Sequence, residues 1–473
     1  MAESIGWLLR DMRKARSGGA GAVARRQRDR LARVVSHARA HSPYYRELYR
    51  GLPEAVYDTK LLPVTDKRKL MADFDNWCTD RRVTLERARS FIDDPTQVGR
   101  PFLDRYRVGT SSGSSGIRGI FLFDDRSTAV TSAMALRGFG RWLRWRDASR
   151  IVGSGARVAS ILATGGHFGS STVLPRRGDG SRIGERRLRV FSVFSPLPQL
   201  VAELNDFRPA VLIGYAGQLA LLAGEQEAGR LRIRPTLVVL GAEGLSQPGY
   251  ERIASVFRAR IGNGYGACEF MSTAASCPQN WLHVNSDWVI VEPVDRDHRP
   301  VAPGEASHTV LITNLANEIQ PILRYDLGDS LFVRPDPCPC GDPFPAIRAR
   351  GRASEALVFD DGRGNQVPVA PVALAGVIDR APGLELAQVH QTSPSQLSVR
   401  LRATHHADLE ELWRVVYAEI QTFLHAHQLD GISVTRSDEA PEQSTGGKYR
   451  LIIPFAGAPD RSELARAQES EFR

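Results

Sequence analysis

Lys448 is the only lysine after residue 69, and it closes a stretch of small and polar residues, Gln443-Ser444-Thr445-Gly446-Gly447-Lys448. Only five of the chain's 62 basic residues are lysine, so lysine is the exception here. Arginine presents a rigid planar fork, whereas lysine carries a compact charge on a long stem that can enter a tight site. A Gly-Gly-Lys tip therefore suits delivery of one ammonium to a developing negative charge. The plainer alternative is a solvated loop charge.

A second stretch, Ser111-Ser112-Gly113-Ser114-Ser115-Gly116, lies between the strand-like runs Arg107-Val108-Gly109-Thr110 and Ile120-Phe121-Leu122-Phe123. Its hydroxyls and backbone N–H groups can reach phosphate oxygens without side-chain obstruction. A flexible linker is the competing reading, but a linker has little reason to sit between two apolar strands. Neither stretch is a Walker A loop. Such a loop needs glycine where Glu442 stands and Ser or Thr where Tyr449 stands, and no lysine follows Gly113 at the required distance. P-loop kinases and ATPases are disfavoured.

Cys277, His283, Cys338 and Cys340 supply the thiolate and imidazole donors of a tetrahedral zinc site. Their Cys-x5-His and Cys-x-Cys spacings are not those of standard fingers, so the site would be structural, pinning the 338–341 loop. Of the two cysteines outside this set, Cys268 stands near a motif; it has no evident histidine partner and reads as a small buried side chain.

These residues need elements to hold them. Apolar β-type runs alternate with helical stretches, as in Val211–Gly214, Gln218–Gln226 and Leu237–Gly241, which is α/β usage. Residues 288–332 turn strand-rich with Gly and Pro turns, as in a small β-barrel or antiparallel sheet. Beyond residue 352 come a hairpin signal at Asp360–Gly364, a helix at Pro371–Asp379, a strand-like run at Gln396–Arg402 and a helix over Asp408–His427. The expected architecture is α/β: a large N-terminal domain of α/β sheets plus a small β-barrel subdomain over residues 1–351, and a small α+β domain over 352–473. Phe139, Trp142 and Trp145 share helical spacing and read as core packing rather than a pocket wall.

The net charge is +9, but residues 1–50 hold twelve Lys/Arg against four acids, leaving the remaining 423 residues close to neutral. A basic helical segment, Ala22–Ala40, follows the Ser17–Gly21 break. It reads as a helix that covers its own domain or solvates a surface, and no nucleic-acid partner is expected. No run approaches eighteen apolar residues and no apolar h-region follows Met1, so no membrane partner is expected and the location read is cytoplasmic. Five cysteines are too few for a secreted disulfide scaffold.

Six motifs occur in one order: Ser111 to Gly116; Gly241-Ala242-Glu243; Asn263-Gly264-Tyr265-Gly266-Ala267-Cys268-Glu269; Arg324-Tyr325-Asp326-Leu327-Gly328-Asp329; Gly351-Arg352; and Gly447-Lys448. That series, with His41-Ser42-Pro43-Tyr44-Tyr45-Arg46 and Leu62-Pro63, resembles the adenylate-forming ligase superfamily over nearly the whole chain, and its phenylacetate–CoA ligase and coenzyme F390 synthetase branch in particular.

The resemblance implies ATP-dependent activation of an organic, aromatic carboxylic acid as acyl-AMP, release of pyrophosphate, and transfer to CoA. By resemblance, Ser111, Ser112, Gly113, Ser114, Ser115 and Gly116 hold the departing pyrophosphate, and Glu269 ligates Mg²⁺. Gly241, Ala242, Glu243, Asn263, Tyr265 and Gly266 frame the nucleotide, Asp329 accepts the ribose hydroxyls with Arg352 close by, and Lys448 is catalytic. His167 and Phe168 resemble the segment lining the acyl pocket, and similar cysteines and histidine occur in parts of the branch. Residues 352–473 would be a mobile domain with its hinge at Ser354, where the family usually has Asp or Lys. That departure, with Ile117-Arg118 and Asp326-Leu327, leaves the acceptor open: CoA leads, and an amine, a carrier protein or another nucleophile of specialised biosynthesis remains. A non-catalytic nucleotide-binding regulator is the alternative from a different class, and a homodimer is left open.

Overall fold

The computed structural model describes residues 4–111, 119–164, 166–167, 187–241, 247–352, 357–364, 366–369, 374, 377–378, 381–442 and 449–455, with backbone alone at 247–248, 350–352 and 368. Cα packing divides the chain into two units, the larger taking in most of residues 1–350 and the smaller most of residues 351–473.

In the larger unit the strands run Thr65–Asp66 (β1), Arg107–Thr110 (β2), Ile120–Phe123 (β3), Val158–Leu162 (β4) and Leu188–Ser192 (β5). Then come Val211–Tyr215 (β6), Leu237–Gly241 (β7), Arg260–Ala267 (β8), Phe270–Ser276 (β9) and Leu282–Val284 (β10). Val289–Val294 (β11), Thr309–Asn314 (β12), Tyr325–Asp326 (β13), Asp329–Val333 (β14) and Ala346–Arg352 (β15) complete the series. Nine of them form one sheet in the order β14-β15-β10-β9-β8-β7-β6-β4-β5.

From β5 to β8 the pairs are parallel, and β8-β9-β10-β15 are antiparallel. The parallel half follows from its sequence. β6 and β7 are apolar runs buried on both faces, and the helices Leu197–Phe207 and Ala216–Glu227 lie between the strands in sequence, supplying Leu200, Leu204, Leu219 and Leu222 to their core. Each such fully buried side chain contributes about 1.5–3 kcal/mol relative to exposure. Ligands of open parallel sheets sit beyond the carboxyl ends of the strands; Gly241 and the end of β8 are such positions.

Where the sequence suggests a small barrel or antiparallel sheet, four strands associate in the order β1-β13-β12-β11. β11, β12 and β13 are antiparallel, while β1, drawn from residues 65–66, pairs parallel with β13. β2 and β3 form a separate antiparallel hairpin. It is pinned by Gln320, whose Oε1 accepts from Leu122 N at 2.6 Å, and by Asn317, whose Nδ2 donates to Leu122 O at 2.8 Å.

The N-terminal basic segment is a longer helix than its sequence suggests. It runs Gly19–His41, separated from the helix Ile5–Ser17 by Gly18 alone. The chain reverses there because Gly19 adopts φ +65°, a left-handed conformation open to glycine. The reversal brings Asp11 against two arginines of the second helix, Arg26 at 2.7 Å and Arg30 at 2.6 Å. Arg30 also donates to the Asp287 carbonyl and lies 3.5 Å from the Trp288 ring centroid. These arginines hold the helix to its own unit, one of the two roles its sequence leaves open. Among the described residues, no helix is long and apolar enough to cross a membrane.

The smaller unit contains the hairpin Leu357–Asp360 (β16) and Gln366–Val369 (β17), with its turn at the Asp360–Gly364 signal. Leu384–Ser393 (β18), Gln396–Ala403 (β19), Ser433–Ser437 (β20) and Ile452–Ile453 (β21) make a sheet ordered β20-β19-β18-β21. The helix Leu409–Ala426 is capped by Asp408, whose side chain accepts from Glu411 N, and it buries Leu412, Val416, Ile420, Phe423 and Leu424 with Val389, Val399 and Leu401 in one core.

Candidate active site

The turn between β8 and β9 is the hub of the site, because Ala267 pairs with Phe270 and only Cys268 and Glu269 lie between them. Gly266 is dictated by close approach: a Cβ there would stand 2.1 Å from the Met271 carbonyl oxygen. Three contacts radiate from this turn. Tyr265 Oη donates to Asp329 Oδ2 at 2.7 Å, Cys268 Sγ donates to Thr110 O at 3.5 Å, and Glu269 Oε1 accepts from Tyr325 Oη at 2.8 Å.

Asp329 is presented by a turn built from its own neighbours. Asp326 Oδ1 accepts from Gly328 N at 3.0 Å and from Thr309 Oγ1 at 2.5 Å, and Gly328 takes φ +78°. Glu269 and Tyr325 are both buried. Burial, and then the charge of Glu269, drive the Tyr325 phenol far above its usual range, so it remains a donor at any working pH. A buried carboxylate with one oxygen held by a phenol is hard-oxygen chemistry that suits a divalent ion such as Mg²⁺.

Ser111 closes the hairpin: its N donates to Gly119 O at 3.0 Å and its Oγ accepts from Gly119 N at 2.8 Å. Thr110 N and Oγ1 both donate to the His167 carbonyl, at 2.7 and 2.9 Å. The buried His167 ring lies 4.9 Å from that of Phe91. Gly241 ends β7 in register with Gly264 of β8. The structure thus brings Ser111, His167, Tyr265, Glu269 and Asp329 into one connected neighbourhood through Thr110 and the β8–β9 turn. Asn263 points elsewhere, its Nδ2 donating to Tyr250 Oη at 2.8 Å. Arg352 ends β15, described as backbone. Ser112, Gly113, Ser114, Ser115, Gly116, Phe168, Ala242, Glu243, Ser354 and Lys448 lie outside the described residues.

In the smaller unit, Gln388 of β18 holds both flanks of residues 443–448. Its Nε2 donates to Glu442 O at 3.0 Å and Arg450 O at 3.2 Å, and its Oε1 accepts from Glu442 N at 3.0 Å.

Cys277, His283, Cys338 and Cys340 converge, with all four donor atoms within 4.8 Å of one another. Cys277 follows β9, His283 lies on β10, and the other two stand in the β14–β15 connection. His283 Nδ1 is 2.8 Å from the Phe344 carbonyl, which fixes that nitrogen as the proton donor and turns Nε2 toward Cys340 Sγ at 3.2 Å. Burial holds His283 below the usual imidazole value, hence neutral, and pushes the Cys340 thiol up to about 12 in the absence of a cation. A bound dication reverses the latter. Beside the cluster, Arg141 and Asp342 pair at 3.0 Å with both side chains almost fully buried.

Two residues of the neighbourhood had no role in the sequence reading. Tyr325 lay inside a quoted motif, and its signal was an aromatic between Arg and Asp. Thr110 gave no signal beyond its place before the serine run. Trp142, read as core packing, donates to the Ser276 carbonyl at 2.9 Å behind β8, while Trp145 is exposed.

This architecture is the fold of the adenylate-forming CoA ligases. The chain is similar to a 2-hydroxyisobutyryl-CoA ligase in the postadenylation state in complex with 2-HIB-AMP, with a TM-score of 0.67 and 20% identity over 95% of this chain and 91% of that one. The same ligase with 2-HIB-AMP and CoA in the thioesterification state gives 0.54 and 18%, over 96% and 94%. In sequence, the chain is 24% identical over 324 residues to the phenylacetate-coenzyme A ligase of Thermus thermophilus, covering 67% of this chain and 66% of that relative, just under two thirds of its length. No protein-family model matches the chain.

Proposed function

We propose that this chain is an AMP-forming acid–CoA ligase. A carboxylate oxygen attacks the α-phosphorus of ATP, the α–β phosphoanhydride breaks and pyrophosphate leaves; the CoA thiolate then attacks the acyl carbon and AMP departs. The observation that carries this reading is the Tyr265–Asp329 hydrogen bond, which joins the residues assigned to adenine and ribose from two motifs 64 positions apart. The fold similarity and the names of the relatives support the same chemistry.

Within this reading Ser111 to Gly116 cradle the phosphates with backbone N–H groups. Gly241, Ala242 and Glu243 line the adenine with Tyr265, and Asp329 accepts the ribose hydroxyls beside Arg352. Lys448 supplies the ammonium that offsets charge developing in the attack, carried on a C-terminal domain of residues 352–473 with Ser354 as its hinge. Glu269 would hold Mg²⁺, which neutralises phosphate charge when bound. Cys277, His283, Cys338 and Cys340 would hold Zn²⁺ as a structural ion. His167 and Phe168 would face the acid, taken as aromatic by likeness to a phenylacetate ligase; the 2-hydroxyisobutyryl ligase makes a short hydroxy acid the natural comparison. ATP and CoA as substrates suit a cytoplasmic location. Pyrophosphate release from ATP across a panel of aromatic and short hydroxy acids tests the reading: acid-dependent release is expected, and a non-catalytic nucleotide binder releases none.

A further inference from the structure

Glu269 has three rotatable bonds, and an ion that took it from a mobile side chain would have to freeze them at the moment of binding. The structure removes that requirement. Tyr325 is held in register between Ile312 of β12 and Thr65 of β1, and is 1% exposed. The Thr65 hydroxyl adds a bond to the Leu323 carbonyl at 3.0 Å, so the strand carrying Tyr325 is fastened on both sides. Across from it, Asn314 Nδ2 donates to the Glu269 backbone carbonyl at 3.1 Å. The Glu269 main chain and one of its carboxylate oxygens are thus both gripped by the four-stranded sheet, although Glu269 itself belongs to the β8–β9 turn of the large one.

We propose that Tyr325 is a positioning residue for the metal-binding carboxylate: by donating to Glu269 Oε1 it fixes the rotamer of Glu269 and directs the second oxygen to the ion that accompanies ATP. The inference rests on the reading of Glu269 as an ion ligand. The phenol itself touches neither nucleotide nor ion; it acts through Glu269.

The test measures equilibrium binding, with no acid substrate and no turnover. Mn²⁺ replaces Mg²⁺ and is titrated by electron paramagnetic resonance into ATP-saturated wild type, Tyr325→Phe, Glu269→Gln and the double variant; ATP binding in EDTA serves as reference. Removing a hydrogen bond to a charged group predicts about tenfold weaker Mn²⁺ binding in Tyr325→Phe, with metal-free ATP affinity within about twofold of wild type. The double variant is expected to bind no more weakly than Glu269→Gln, because the two residues act as one unit. Wild-type Mn²⁺ affinity in Tyr325→Phe alongside a weakened Glu269→Gln overturns the positioning role and leaves the ligand assignment standing. Wild-type affinity in Glu269→Gln overturns the ligand assignment and this inference with it. If Tyr325→Phe does not fold, Tyr325→Trp, which keeps a donor but moves it, takes its place: weakened Mn²⁺ binding supports the role and unchanged binding overturns it.

Discussion

Tyr265 and Asp329 show what a single side chain contributes to the site. The hydroxyl donates to the Asp329 side chain at 2.7 Å, and its loss removes one of the contacts that orient Asp329 toward the position in which it would meet a ribose. Tyr265→Phe is therefore expected to raise the KM for ATP about tenfold while changing kcat less, since the interaction is made in ground and transition state alike. Steady-state kinetics at saturating acid check this, and an unchanged KM removes Tyr265 from the nucleotide site. Lys448 makes the opposite demand. Lys448→Ala is expected to lower the adenylation rate by about 10²-fold or more with ATP binding retained, because its charge matters as negative charge develops. The sequence singles out Lys448 as a lone lysine among arginines, but the residue lies outside the described ones. The Tyr325–Glu269 bond was not legible in the sequence, because it joins residues 56 apart on two different sheets and neither residue type demands the other.

At the scale of elements, the N-terminal helix pair holds the clearest electrostatic prediction. Burial raises the Asp11 carboxyl, but the hydrogen bonds and charges of Arg26 and Arg30 outweigh it and hold the group below its ordinary 3.8. A depressed carboxylate contributes stability that is present above the unfolded value and lost as pH falls through the folded one. Asp11→Asn should therefore melt below wild type at pH 7, with the gap constant down to about pH 5 and closing below about pH 4. Thermal melts across that range check it, and a gap independent of pH removes the ion pairs as its cause. The helical segment Ala22–Ala40 and the helix over Asp408–His427 were readable from the sequence, while the helix Ile5–Ser17 was not. Nor was the partner of the basic face, since the reversal at Gly18-Gly19 decides which acid it meets. The β14–β15 connection is the other element with a defined anchor. Wild type is expected to carry one zinc, and Cys338→Ser/Cys340→Ser to lose it and to melt at a lower temperature, measured by metal analysis and calorimetry. Wild-type protein purified without zinc counts against the metal site.

For the molecule as a whole, the order of the sheets explains how residues of motifs scattered along the larger unit come to lie together. The parallel half of the nine-stranded sheet sets Gly241 and the end of β8 side by side, the β8–β9 turn carries Glu269 to the four-stranded sheet, and the β2–β3 hairpin reaches His167 through Thr110. Alternation of apolar runs and helices announced the α/β class. Where β1 would pair, or that β14 would join the large sheet while β13 stayed in the small one, depended on long-range contacts that no local pattern encodes. The central claim is that this assembly makes an acyl-adenylate and hands it to CoA. It is tested most directly by incubating the protein with ATP and a library of carboxylic acids, trapping adenylates with hydroxylamine, and repeating the incubation with CoA in place of the trap. The account predicts an acid-specific hydroxamate that requires ATP, and the matching acyl-CoA when CoA is present. ATP binding with neither product from any acid would contradict it.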